Sequence, residues 1–171
     1  AFASQFANYI GLMDANQVQS GLPVQHYQGV KARFEGLEAS GLMRVWQRES
    51  TLDLALRADS VRASNETTGA PLPRIAPLRV GADAVWSRNA WGARLGFMHA
   101  AAQNRVPNNG ADPGITTAGH TLWNAALNYH THNGPTHWLL FAKLDNLTNK
   151  LAYSSTSVLT QTLRENAPPL A

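Results

Sequence analysis

The sequence predicts an all-β fold, an antiparallel up-and-down meander of about seven strands patterned like a segment of a transmembrane β-barrel. Three observations point there. Apolar and polar residues alternate with period two in run after run, the pattern of a strand whose two faces meet different surroundings. The connections alternate in length: 47–50, 87–90 and 131–136 are short turns, whereas 14–24, 63–74 and 105–118 run to about a dozen residues, as periplasmic turns and extracellular loops do in outer-membrane barrels. Finally, Trp46, Trp86, Trp91, Tyr129 and Trp138 all stand beside short turns, where amphipathic rings at the headgroup layer form an aromatic girdle.

In chain order, the first strand is Phe2–Met13, with Phe2, Phe6, Ile10 and Leu12 in phase. Gly21 and Pro23 break the polar segment that follows. The second strand is long, from about Gln25 to Trp46. Its apolar phase switches near Gly36: Ala32 and Phe34 precede it, and Leu37, Ala39, Met43 and Val45 follow. A glycine at a phase switch predicts a β-bulge. Thr51–Arg62 sets Leu52, Leu54, Leu56 and Ala58 against Thr51, Asp53, Arg57 and Asp59. Ile75–Trp86 sets Leu78, Val80, Ala82, Ala84 and Trp86 against Arg79, Gly81 and Asp83. Trp91–Gln103 sets Trp91, Ala93, Leu95 and Phe97 against Gly92, Arg94 and Gly96.

His120–Asn149 reads as a hairpin about the turn His132-Asn133-Gly134-Pro135. Trp123, Ala125, Leu127 and Tyr129 share a face of its first arm, and Trp138, Leu140, Ala142 and Leu144 a face of its second, opposite Lys143 and Asp145. Lys150–Ser155 is expected to extend that arm, so that 1–155 forms a partial barrel. The aperiodic 156–171, which contains Pro168-Pro169, is expected to be loop leading to a missing final strand. No helix is expected.

Charged residues are 15% of the chain and hydrophobic ones 44%. The charged share falls well below the usual quarter, which is odd for an ordinary single domain with a core of its own. The chain has no Cys, which excludes a disulfide framework and thiolate metal sites. The net charge is +3 with basic residues scattered among acidic ones, so no nucleic-acid surface is expected. No apolar run reaches the ~18 residues of a transmembrane helix, and no signal peptide is expected within this stretch. Residue 1 falls inside a strand, so the chain is expected to start within something larger. Glu35 and Glu38 fall on opposite faces with no nucleophile beside them, and no Gly-rich phosphate loop occurs, so an enzyme is not expected.

A Lys or Arg on the lipid face near mid-membrane costs about 2–4 kcal/mol. That exceeds the roughly 0–1 kcal/mol gained from an exposed ion pair. Arg57, Asp59, Arg79, Asp83, Arg94, Lys143 and Asp145 are therefore expected to face a wet lumen.

Several stretches carry a family likeness: KARFEGLEASG at 31–41, LPRIAPLRVG at 72–81, AGHTLWNAALNY at 118–129 and LLFAKLDNLTNKLAY at 139–153. Within them stand Ala32-Arg33 with Gly36 and Glu38, Pro73-Arg74 with Pro77, and Asn146-Leu147 with Asn149 and Tyr153. In order and spacing the chain resembles the C-terminal part of a TonB-dependent outer-membrane receptor. That resemblance implies a 22-stranded barrel in the bacterial outer membrane, of which this is a piece lacking the plug and the closing strand. It also implies active uptake of a scarce nutrient. The implied partners are outer-membrane lipid, the plug and remaining strands, TonB through a segment absent here, and a metal ion or metal-complex ligand such as a siderophore or zinc. No resident cofactor is implied.

His26, His99 and His120 lie toward the long-loop end and are weak candidates for metal contact. His130, His132 and His137 cluster at a short turn with no carboxylate alongside, and read either as turn histidines or as a metal site. Two other classes stay open: a passive porin or adhesin barrel, and a soluble β-sandwich binding module.

Overall fold

The structure, a computed structural model, describes residues 1–20, 22–109, 112–113 and 116–157. Its strands are β1 (Phe2–Gln19), β2 (Leu22–Gln47), β3 (Thr51–Asn65), β4 (Arg79–Arg88), β5 (Trp91–Ala100), β6 (Asn108–Asn109), β7 (Asp112–Pro113), β8 (His120–Asn133) and β9 (Thr136–Leu144). Seven form one sheet in the order β1-β2-β3-β4-β5-β8-β9, antiparallel throughout; β6 and β7 make a separate two-residue pairing. No helix occurs among the described residues.

The period-two pattern sorts the side chains by face. Cross-strand partners share a face, so the registers Leu54↔Ala84↔Leu95↔Ala125↔Leu144 and Ala55↔Asp83↔Gly96↔Asn124 trace the apolar and polar faces. On the apolar face no charged residue intervenes from Leu37 to Met43, Leu52 to Ala58, Val80 to Trp86, Trp91 to Phe97, Trp123 to Tyr129 or Trp138 to Leu144. Many of these side chains are exposed, Leu56, Leu95, Leu140 and Leu144 among them. A soluble sheet would cover such an area.

The hairpin ends reveal a lean. The paired row Gln47-Thr51-Ser87-Gly92-Asn128-Phe141 closes the β2–β3 hairpin. The β4–β5 hairpin closes one residue beyond that row, at Arg88↔Trp91, and the β8–β9 hairpin five beyond it, at Asn133↔Thr136. With the turns at one level, that advance over four strand spacings corresponds to a tilt of about 40°, the range of a closed barrel.

Four expected boundaries change. First, the segment 14–24 is not a loop: β1 and β2 pair on to Gln19↔Leu22. Polar residues continue a strand wherever the neighbouring strand satisfies the backbone. Second, Gly36 pairs regularly with Phe2 and Val61. The register shifts lie instead between Phe6 and Tyr9, between Asp14 and Val18, and between Arg44 and Trp46. The apolar residues of β2 change face at Gly36 while the backbone runs straight. Third, β4 starts at Arg79 rather than Ile75: Pro73 and Pro77 have no N–H to give a ladder, and Arg74 takes a φ of 60°. In the same way β5 stops at Ala100, and Gln103 bonds to a loop instead. Fourth, β9 stops at Leu144. Asn146 and Asn149 have φ of 52° and 48°, left-handed values that Asn tolerates, and Lys150–Ser155 adds no strand. Of the expected loop 156–171, residues 158–171 lie outside the described residues.

The one packed cluster among the described residues sits on the polar face at the end away from the short turns. Ala32, Ala63 and Leu72 are buried there, with Tyr9, Val30, Phe34 and Ile75 against them. Phe6, Tyr9 and Phe34 pack edgewise, with ring centroids 5.2–6.1 Å apart. The chain after β3 folds back over this face, and Leu72 N–H donates to the Ala63 carbonyl at 3.0 Å.

Candidate functional site

The polar face carries a row of ion pairs, because strand alternation and register bring opposite charges from neighbouring strands together. Arg44 meets Asp53 at 2.7 Å and Arg79 meets Asp59 at 2.9 Å in this way, whereas Lys143 meets Asp145, two residues further along its own chain, at 2.8 Å. The centre of the row differs. Asp83 on β4 accepts from Arg57 Nη1 on β3 at 2.8 Å and from Arg94 Nε on β5 at 2.9 Å. Its carboxylate is only 6% exposed.

Two glycines make that seat possible. A Cβ at Gly96 would land inside the Asp83 carboxylate, and a Cβ at Gly81 would stand 2.9 Å from Arg57 Nε. Beside the seat opens a hollow of about 170 Å³ lined by Arg57, Asp83, Arg94, Asn124, Lys143 and Asp145. The Asn124 Oδ1 accepts the Asn146 N–H at 2.9 Å, which turns its NH₂ end outward from that bond.

At the far end of the same face, two connections are tied together. Arg105 donates to the Ala63 carbonyl at 2.7 Å and to Ser64 Oγ at 2.6 Å. Gln103 Nε2 donates to the Ile75 carbonyl at 2.7 Å, and its Oε1 accepts the Arg105 N–H at 2.9 Å. Gln103 also exchanges backbone hydrogen bonds with Thr117. The connections following β3 and β5 are thereby held to each other and to the end of β3.

The seven residues expected to share a charged face do so by register and ion pairing: Arg57, Asp59, Arg79, Asp83, Arg94, Lys143 and Asp145. Trp46, Trp86, Trp91, Tyr129 and Trp138 occupy the opposite face near the hairpin ends. Trp91 and Tyr129 stack with centroids 4.5 Å apart. From Trp86 on β4, whose row reaches β9 at Ala142, the aromatic position steps four residues to Trp138, following the lean of the hairpin ends.

The histidines do not converge. His99 lies on the apolar face with its Nδ1 2.8 Å from Thr121 Oγ1, whereas His120 lies on the polar face with a buried Nδ1 that has no hydrogen-bond partner. His26 is far away in the β1–β2 hairpin. His132 and His137 face each other with ring centroids 6.3 Å apart, and Asn128 Nδ2 lies 3.1 Å from His130 Nε2. Among the described residues no three His, Asp or Glu groups are placed to hold a metal ion.

Sequence reading missed the double use of Asp83 and the tie through Gln103 and Arg105. The available signal was Gly81 and Gly96 on the charged phase of two facing strands, small residues where a bulky neighbour needs room. It also passed over Leu139 and Phe141, apolar residues on the charged side of β9.

A family description, TonB dependent receptor-like β-barrel, matches residues 1–147. Among solved structures, the chain is similar to one described as copper transporter OprC, with a TM-score of 0.76 and 18% identity. The likeness covers 90% of this chain and 23% of that one, so the chain spans about a quarter of that structure's length. At this identity the likeness establishes fold. No curated protein sequence matches.

Proposed function

The chain belongs to the TonB-dependent receptor β-barrel family, and on that premise we propose that it forms part of the barrel wall of an outer-membrane receptor for active metal uptake. The observation that carries this reading is the division of the sheet into two faces. An apolar face that is charge-free toward its short turns and carries aromatics there suits lipid. The opposite face, with its ion pairs and its polar hollow, suits a water-filled lumen. On this reading the far end of the β1–β2 hairpin and the long connections after β3 and β5 contribute to the extracellular vestibule, and the tie through Arg105 holds two of its walls together. TonB, acting on a plug supplied by the rest of the receptor, would release ligand past the charged row.

A metal ion or metal complex is the proposed cargo. Its support is the copper transporter among the structural relatives, together with His26 and His120, which lie in phase with the polar face toward the loop end.

The test is uptake of radiolabelled copper, zinc and iron chelates by cells carrying the full-length receptor, with and without TonB. Accumulation of one of these that stops when TonB is removed is the expected result. Equal accumulation without TonB would make the barrel a passive pore. TonB-dependent growth on a non-metal nutrient alone would remove the metal assignment.

A further inference from the structure

We propose that the hollow beside Asp83 is an oxyanion site, filled by a carboxylate or a similar group from a ligand or from the plug. This rests on the reading that the polar face lines the lumen. The argument starts from pairing stoichiometry. Along the row, Arg44 has Asp53, Arg79 has Asp59 and Lys143 has Asp145, each pair one to one. Asp83 alone serves two guanidiniums. The hollow is therefore lined by three cations, Arg57, Arg94 and Lys143, and two carboxylates, leaving one positive charge in surplus. Among the described residues of the sheet, Glu38 is a further carboxylate on this face, and it stands opposite Asp59 on β2, outside the hollow.

Donors are in surplus as well. A guanidinium has five N–H groups. Asp83 takes one from Arg57 and one from Arg94, which are 43% and 54% exposed toward the opening. The Lys143 ammonium and the outward NH₂ of Asn124 stand on the same hollow. Asp83 itself is buried and already held by two guanidiniums, so a cation entering here would meet no open carboxylate except Asp145, which Lys143 already holds. A planar, two-oxygen acceptor suits a pair of forks of this kind. Holding Arg57 and Arg94 on a buried carboxylate also fixes their positions before a ligand arrives, which lowers the ordering cost of binding.

The full-length receptor with Ala126→Cys tests the proposal. Ala126 lines the hollow, and this chain has no cysteine of its own. The rates of a sulfonate-bearing and an ammonium-bearing methanethiosulfonate reagent are compared at low salt, each normalised to a free thiol. One net charge about 7 Å away in a water-like dielectric enriches an anion and depletes a cation about 2.7-fold each, so the sulfonate should win about sevenfold. Lys143→Gln should bring the ratio close to one and Lys143→Arg should keep it. Equal rates in the parent, or a preference that survives Lys143→Gln, overturn the proposal.

Should neither reagent reach the thiol, a photo-crosslinking amino acid at position 126 identifies the occupant. Capture of a plug peptide bearing Asp or Glu at the joint supports the site, with the receptor itself as the source of the oxyanion. Capture of a peptide without one overturns it. Leu127→Cys, on the opposite face, separates the two readings: reaction there with an inert Ala126→Cys refutes the lumen assignment rather than the charge argument.

Discussion

The two ends of this sheet use the same strands in opposite ways. Near the short turns the apolar side chains of β2 and β3, such as Met43, Leu52 and Leu54, stand on the face opposite Arg44 and Asp53. Beyond Gly36 the preference reverses. Arg33, Glu35 and Arg62 take the formerly apolar face, while Phe34, Ala32 and Ala63 pack on the other beneath Leu72 and Ile75. No bulge at Gly36 turns the strand over. The surroundings have changed instead: one end has a charge-free apolar face, and the other is covered on its polar face by the chain that follows β3. The difference teaches that alternation assigns side chains to faces, and that which face is apolar depends on what covers it at that height.

The strongest way to break the comparison is to place a charge on each face midway along the charge-free band. Ala84→Arg, on the apolar face, should destabilise the full-length receptor in a bilayer by about 2–4 kcal/mol. Ala55→Arg, beside Asp83 on the other face, should fold nearly as the parent does. Folding titrations in lipid vesicles measure both. Comparable losses would mean that the faces do not differ in solvent.

Next in size is the double ion pair. Asp83→Asn leaves Arg57 and Arg94 facing each other without a countercharge and should cost about 1.5–3 kcal/mol, read from the denaturation midpoint. Gly96→Ala, which pushes on the same carboxylate, should cost about 1–3 kcal/mol. A combined loss smaller than the sum of the two would show that they act on one seat.

At the covered end, Arg105→Ala should act locally. Removing the donor to Ala63 and Ser64 should speed amide exchange over residues 66–78 while β4 and β5 keep their protection. Unchanged exchange there would mean that Leu72 and Ile75 hold the segment without the tie. The smallest effect belongs to Arg88→Ala. Its Glu49 partner is 83% exposed, so the midpoint should move by about 0–1 kcal/mol.

Much of this was legible in the amino acids. Side-chain direction in a strand repeats every two residues, so the charged set from Arg57 to Asp145 and the aromatic set from Trp46 to Trp138 could be read strand by strand, with no knowledge of neighbours. The hairpin turns carried equally local signals. Boundaries were less legible where polarity was taken for a loop, as at 14–24, and where alternation ran on through residues without ladder partners, as at 75–78. The pattern of Leu78, Val80 and Ala82 could not report that Ile75 leaves the sheet to pack on Ala63 and Leu72.

By itself, then, the sequence determined an antiparallel meander with one face charge-free toward the short turns, because alternation, turn chemistry and aromatic placement are all properties of short windows. Tertiary structure decided which charges meet. Arg57 and Arg94 lie 26 and 11 residues from Asp83, and only the registers of β3 and β5 against β4 aim both guanidiniums at one carboxylate. It decided the tie through Gln103 and Arg105 for the same reason, since Arg105 lies 42 residues from Ala63. Pairing at such separations is set by how strands and connections come together in space, which no local pattern encodes.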